Sequence, residues 1–268
     1  MSGIATLVCS MGKATHSTKE KGARRLTWKR ALLFVLVAVV VAVAATLLWW
    51  YTPPSLQAWK SGEPSETWSV WDRQVESWRQ QGASREISFE YRPLSRIAID
   101  VQLAVLVGED INFFGHQGID FDAVREAVDE WRGGGRLRGA STISQQLAKN
   151  LFLSNERSWT RKLREAKLTW WIERELGKPR ILELYLNVIE FDAGILGVGA
   201  AARRFYGKGA EALTAEEAAG LAATIPAPHV SNPRTATRAW QNRRGIIVQR
   251  MDDAGWLRRR LASLREAM

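Results

Sequence analysis

Residues 139–153 read Gly-Ala-Ser-Thr-Ile-Ser-Gln-Gln-Leu-Ala-Lys-Asn-Leu-Phe-Leu, a turn that runs into a capped helix. Ser141 or Thr142 supplies the cap, since a hydroxyl there accepts from the free N–H groups of the first turn. Ile143, Leu147 and Leu151 recur at i, i+4 and i+8 and form one apolar stripe for a core. The remaining surface is unusual. Ser144, Gln145, Gln146, Lys149 and Asn150 replace the Glu and Lys pairs of an ordinary solvated helix. Amides, hydroxyls and one cation are groups that hydrogen-bond a sugar or a phosphate.

Outward from this stretch the pattern stays helical. Upstream, Ile97 to Gly108 is almost wholly apolar and Phe121 to Trp131 is amphipathic; the Gly133-Gly-Gly135 loop with Arg136 and Arg138 then leads into the opening stretch. Downstream, Trp159 to Leu176 carries Leu163, Ala166 and Trp170, and Pro179 suits the first turn of a further helix ending near Asn187. Gly194, Gly197 and Gly199 predict a flexible loop, and Ala200 to Phe205 a helix stopped by Gly207. Thr214 and Glu217 form a capping-box pattern before an Ala/Leu helix that reaches Ile225. Pro226, Pro228 and Pro233 mark an ordered loop, and Trp240 to Met268 is a basic terminal helix or helix pair. Glu86 to Tyr91 alternates Ile87, Phe89 and Tyr91 as a short strand. The fold class is mainly α.

The first fifty residues differ in kind. Seven cations (Lys13, Lys19, Lys21, Arg24, Arg25, Lys29, Arg30) against Glu20 place +6 of the net +10 before residue 31. The rest is only mildly basic, which argues against nucleic acid as a partner. Ala31 to Trp50 is uncharged, and about twenty apolar residues span a bilayer as a helix. Trp28, Trp49, Trp50 and Tyr51 sit where interfacial aromatics belong, and the cationic flank places the N-terminus in the cytoplasm. A cleaved signal peptide is the alternative, with an apolar core expected to be shorter, about 7–15 residues. The expected organisation is a basic, disordered cytoplasmic tail (1–30), a transmembrane anchor (31–51), a linker with an amphipathic helix bearing Trp68, Trp71, Val75 and Trp78 (52–84), and one exported domain (85–268). Cys9 is the one cysteine, and His16, His116 and His229 are dispersed, so no metal centre is expected.

Two carboxylate sites stand out. Glu109 and Asp110 end an apolar helix: they are either a solvated acidic pair at a helix end or a site where burial and the helix's negative pole raise a carboxyl toward the range of a useful base. Glu165 stands four residues after Arg161 and three after Lys162, with Arg157 upstream. This is either a salt-bridged helix face or a carboxylate inside a cationic cluster that faces an anionic substrate. His116, Asp120 and Glu183 read as braces for loops.

Five segments occur in order: Glu109-Asp-x-x-Phe-x-x-His116-x-Gly118; residues 139–153; Arg161-Lys-x-x-Glu165; Lys178-x-x-Ile-Leu-Glu-Leu-Tyr-Leu-Asn187; and Gly197-Val-x-Ala-Ala201. Together they resemble the motifs of the peptidoglycan glycosyltransferases (glycosyltransferase family 51), over roughly residues 85–235. With no Ser-x-x-Lys motif downstream, the chain is similar to the monofunctional biosynthetic transglycosylases. The resemblance implies a lysozyme-like large lobe, a small membrane-proximal lobe and an inverting transferase that polymerises lipid II. By it, Glu109 is the general base, Glu165 the second essential acid and Asp110 an orienting group. Ser141, Thr142, Gln145, Gln146, Lys149, Arg157, Arg161 and Lys162 would bind substrate, with His116, Glu183 and Asn187 structural. No cofactor is required by the sequence, though a divalent cation, Mg or Mn, is compatible with diphosphate chemistry. Implied partners are lipid II, the lipid-linked glycan strand, the bacterial inner membrane and cell-division or wall-synthesis proteins, with the catalytic domain periplasmic.

Three positions depart from the family pattern. Asp192 stands where Gly is usual, Gly199 where a larger residue is common, and Gly108 where a small side chain precedes the acidic pair. Two other functions compete: a lysozyme-like muralytic glycosidase, which also uses two carboxylates, and a non-enzymatic wall scaffold.

Overall fold

A computed structural model describes residues 16–52, 55–63, 87–135, 139–153 and 158–268 of the chain. The amphipathic segment with Trp68, Trp71, Val75 and Trp78 and the cation Arg157 lie outside the described residues. Contacts divide the chain into two units, Met1–Pro53 and Pro54–Met268.

In the first unit one helix, α1 (His16–Tyr51), contains the apolar stretch. Trp28–Trp50 is long and apolar enough to cross a membrane, and no residue of its apolar window is buried inside the protein. A disordered tail was expected through residue 30, but residues 16–30 are already helical. Lys, Glu, Ala, Arg and Leu dominate that segment, and all are good helix formers.

The second unit is mainly α. Residues 55–63 pack on it, with Leu56 and Trp59 in the core and Trp59 edge-on to Phe152 at 6.0 Å. Its central helix is α2 (Ile99–Glu109), in which every residue from Val101 to Val107 is buried. A helix apolar on all sides must be surrounded. Each of its large side chains contributes about 2 kcal/mol of burial. The other helices of this unit are α3 (Phe121–Arg132), α4 (Ile143–Phe152), α5 (Trp159–Val188), α6 (Gly197–Tyr206), α7 (Ala215–Thr224), α8 (Arg238–Asp253) and α9 (Gly255–Glu266). α2 packs against α7, α8 and α9, while α4 lies along α5. The terminal basic segment is thus a helix pair.

Local chemistry explains the boundaries. Asp120 caps α3, its carboxylate accepting from the N–H groups of Asp122 and Ala123. Thr142 caps α4 and Thr214 caps α7, each in a reciprocal capping box, with Gln145 and Glu217 respectively. The two helices expected here are the two halves of α5, which meet at a break at Gly177 and leave Pro179 in the first turn of the second. Gly177 has φ +71 and ψ 159, a conformation that glycine alone adopts without strain.

A small sheet, in the order β1-β3-β2, closes one end: β1 (Ser88–Phe89), β2 (Glu190–Asp192) and β3 (Ile195–Leu196). β1 runs parallel to β3, and β2 antiparallel. The glycines expected to form a flexible loop are instead fixed by close packing. Gly194 turns the hairpin at φ +81. Gly197 begins α6 so near Asn187 that a Cβ would lie 2.7 Å from its carbonyl oxygen. Gly199, inside α6, would place a Cβ 2.3 Å from the Glu90 carbonyl oxygen. Asp192 has a local reason too, since its carboxylate accepts the Ala193 N–H at 2.8 Å and stabilises the hairpin turn.

Candidate active site

α2 ends at Glu109 beside a cleft of about 590 Å³. The C-terminal turn of α2, the following loop through Asn112, the N-cap Asp120, residues 139–142, Gln146, Pro226 and the α8 cations Arg243 and Arg250 line it. The cleft therefore collects residues far apart in sequence at the end of the most buried helix.

Glu109 keeps 11% of its side chain exposed. Gln146 Nε2 donates to its Oε2 at 2.9 Å, and Arg243 Nη2 to its Oε1 at 2.7 Å. Burial pushes the Glu109 carboxyl above its ordinary value, against the pull of Gln146 and Arg243, and Asp110 adds to the rise. Tyr185 fixes the amide of Gln146 by donating its hydroxyl to Oε1 at 2.9 Å. Burial, then the charges of Glu109 and Asp110, hold the Tyr185 phenol well above its usual range, so it remains a neutral donor. A buried phenol thus orients an amide, and the amide orients the carboxylate.

Asp110 points the other way. Its Oδ2 accepts the Ile143 N–H at 2.9 Å, at the start of α4. His116 Nε2 lies 3.1 Å from both Asp110 oxygens. The Gly118 N–H donates to His116 Nδ1 at 3.1 Å, so Nε2 carries the proton toward Asp110. The Thr142 hydroxyl donates to the Gly118 carbonyl and ties the same loop to the α4 cap. Asp120 belongs to this frame, accepting from Asn112 at 2.9 Å. Burial alone would raise the Asp120 carboxyl, but Ala123 N–H, Asn112, His116 and Asp122 N–H together hold it below its ordinary value.

Of the expected substrate-binding residues, Ser141, Thr142 and Gln146 line the cleft. Gln145 does not; it is buried, and its Oε1 accepts the Thr142 N–H within the capping box. Lys149 is exposed outside that lining. Glu165 is buried on α5 between Arg161, at 3.0 Å, and Lys162, and this trio also lies outside the lining. Glu183 and Asn187 hold the segment after β1. Glu183 accepts from Tyr91, Arg180 and the Leu94 N–H, and Asn187 bonds both backbone groups of Arg92 at 2.8 Å.

Arg243, Arg250 and Tyr185 were absent from the sequence-derived site. Tyr185 lies inside a quoted motif, but nothing local says that its hydroxyl reaches Gln146. Arg243 is 134 residues from Glu109 and looks like one more cation of a basic terminal helix.

Chemically, the cleft offers a partly desolvated carboxylate with two donors on it and open space before it. That suits proton abstraction from a hydroxyl.

Residues 75–252 match the model of the family described as Transglycosylase. The chain is similar to the biosynthetic peptidoglycan transglycosylase of Bordetella avium, 36% identical over 234 residues, covering 85% of this chain and 96% of the relative. It is 38% identical to that of Bordetella pertussis over the same shares. The corresponding protein of Xylella fastidiosa is 43% identical over 210 residues, covering 78% of this chain and 82% of the relative.

Proposed function

This chain belongs to the transglycosylase family, and from that membership we propose that it is an inverting peptidoglycan glycosyltransferase that polymerises lipid II. In this reading Glu109 removes the proton of the acceptor sugar hydroxyl. The oxygen attacks the anomeric carbon of the lipid-linked glycan, a new C–O bond forms, and the bond to the diphosphate breaks. The electron pair leaves with undecaprenyl pyrophosphate. The observation that carries the reading is the Glu109 carboxylate itself, raised by burial and held by Gln146 and Arg243 at the mouth of a cleft. Raising the carboxyl above its ordinary value makes it a stronger base toward a hydroxyl.

Glu165 with Arg161 and Lys162 supplies a second charged centre, assigned in this reading to the departing diphosphate, where cations stabilise developing charge. Lys149 and Arg157 join it in the same role. Ser141, Thr142 and Gln146 contact the sugars in the cleft. Asp110 and His116 frame the loop that carries the base. Among the described residues no three His, Cys, Asp or Glu side chains gather to hold a metal ion. An Mg or Mn ion at the diphosphate would take its oxygens from the substrate in part, and assays with and without a chelator decide whether one is needed.

The apolar helix gives the enzyme access to substrates with lipid tails. In this reading the N-terminus is cytoplasmic and the catalytic unit periplasmic, which the cations before residue 31 support. Incubation of the full-length protein in detergent with lipid II tests the function. A ladder of polymer supports it; solubilised fragments from preformed wall, with no polymer, would assign the chain to hydrolysis instead.

A further inference from the structure

We propose that Arg243 is the positioning residue of Glu109, fixing the rotation of its carboxylate by binding Oε1 and the Gly108 carbonyl together. The inference rests on reading Glu109 as the base.

The geometry begins with the end of α2. A helix leaves its last carbonyls without intrahelical partners. Here α8 supplies donors to two of them. Arg243 Nη2 donates to the Gly108 carbonyl at 3.0 Å, and Arg250 Nη1 to the Val107 carbonyl at 3.2 Å. The two arginines are seven residues apart, two helical turns, and so share a face. Both also line the cleft. The Arg243 nitrogen that binds the Gly108 carbonyl binds Glu109 Oε1 as well, at 2.7 Å. The guanidinium is therefore registered to the backbone of the residue before the base, and the base is registered to the guanidinium.

Close approach makes this reach available. Between α2 and α8 lies Ile247, whose Cδ1 sits 3.3 Å from where a Gly108 Cβ would stand. Ile247 and Met251 are buried against the core. With no side chain at Gly108, Ile247 packs directly on this turn of α2, and Arg243, one turn earlier on α8, reaches both groups.

On the carboxylate the two donors divide the oxygens. Gln146 holds Oε2 and Arg243 holds Oε1, so the plane of the carboxylate is set and a lone pair on each oxygen remains for substrate. The charged or titratable groups that face Glu109 are Arg243 from α8, Asp110 from its own turn and neutral Tyr185 behind Gln146 from α5. Arg250 stands in the same cleft lining. Of these, Arg243 is the cation in contact with the carboxylate.

The test uses the full-length protein in detergent carrying Arg243→Met, Arg243→Lys or, as a control on the same helix, Arg244→Met, which breaks a pair with Glu216. Carbon-13-labelled glutamate, assigned with Glu109→Gln, reports the titration of the Glu109 carboxyl. The pH dependence of kcat/KM for lipid II reports its use. In Arg243→Met the carboxyl titrates at higher pH, the acid limb of the rate moves up with it, and kcat falls about a hundredfold at neutral pH. Arg243→Lys restores the titration and part of the rate, and Arg244→Met changes neither. If Arg243→Met does not fold, Arg243→Gln, which keeps donors without charge, must raise the titration in the same direction. A titration and acid limb unmoved by loss of the charge overturn the proposal, even where activity drops. The titration needs no substrate, so failure of the wild-type chain to polymerise lipid II would sink the function and leave this test readable.

Discussion

Asp110 Oδ2 accepts the backbone N–H of Ile143 at 2.9 Å, joining two residues 33 apart. The contact ties the C-terminal end of α2 to the N-terminus of α4, where an anion is favoured by the free N–H groups and the helix dipole. It also leaves Glu109 alone to face the cleft donors. Asp110→Ala removes this bond and strips His116 of its acceptor. The expected loss is about 2 kcal/mol or more, the scale of a hydrogen bond to a buried charge. Chemical unfolding of the full-length protein in detergent measures it; a loss below about 0.5 kcal/mol, the scale of an ordinary surface change, would mean that the joint contributes little.

Thr142 and Gln145, both expected at the substrate, also build the α4 capping box. Thr142→Ala should cost about 1 kcal/mol of stability, with Thr142→Ser nearly neutral because the hydroxyl remains. Gln145→Ala should lower stability while leaving KM for lipid II unchanged. A raised KM with unchanged stability would show instead that Gln145 serves the substrate.

These residues show where sequence reading reaches its limit. The cap, the Ile143, Leu147 and Leu151 stripe and the all-apolar α2 follow from local periodicity and capping chemistry, so they were legible. Glu109 was legible as a carboxylate at the end of a buried helix, and the family resemblance implied its role as a base. The donors on it were not. Whether Gln145 or Gln146 turns toward the carboxylate depends on the phase of α4 about its axis, which α5 fixes through Tyr185. Arg243 reaches the site through the packing of α8 on α2, a nonlocal contact with no local signal. The glycines misled for a related reason. Composition marks Gly197 and Gly199 as flexible, whereas close backbone approach is what requires them.

Gly199 and Gly108 should differ in their response to a methyl group. Gly199→Ala forces a Cβ against the Glu90 carbonyl and should cost roughly 2 kcal/mol or more, within the range for overpacking. Gly108→Ala meets only the movable end of Ile247 at 3.3 Å. Its gain in helix propensity, about 1 kcal/mol, offsets that crowding, so stability should change little. Its activity is the more sensitive readout, since α8 carries Arg243. Parallel unfolding curves for the two variants check the pair; equal losses would contradict the packing described.

Burial of Glu109 has a signed consequence for stability. Its carboxyl is raised above 4.5 in the folded protein. Stability from this group is therefore full below the unfolded value and falls as pH rises through the folded one. Glu109→Gln, free of that titration, should gain on the wild type as pH rises and match it more closely in acid. Unfolding of both proteins across pH 4 to 8 measures the difference. A gap that does not change with pH would show that the carboxyl is not raised.

The central claim is that Glu109 is the base of a glycan-polymerising reaction. The most direct measurement compares the full-length wild type and Glu109→Gln for polymer formation from lipid II, with circular dichroism confirming that both are folded. The account predicts polymer and released undecaprenyl pyrophosphate from the wild type and neither from the variant. Polymerisation by folded Glu109→Gln at the wild-type rate would contradict it.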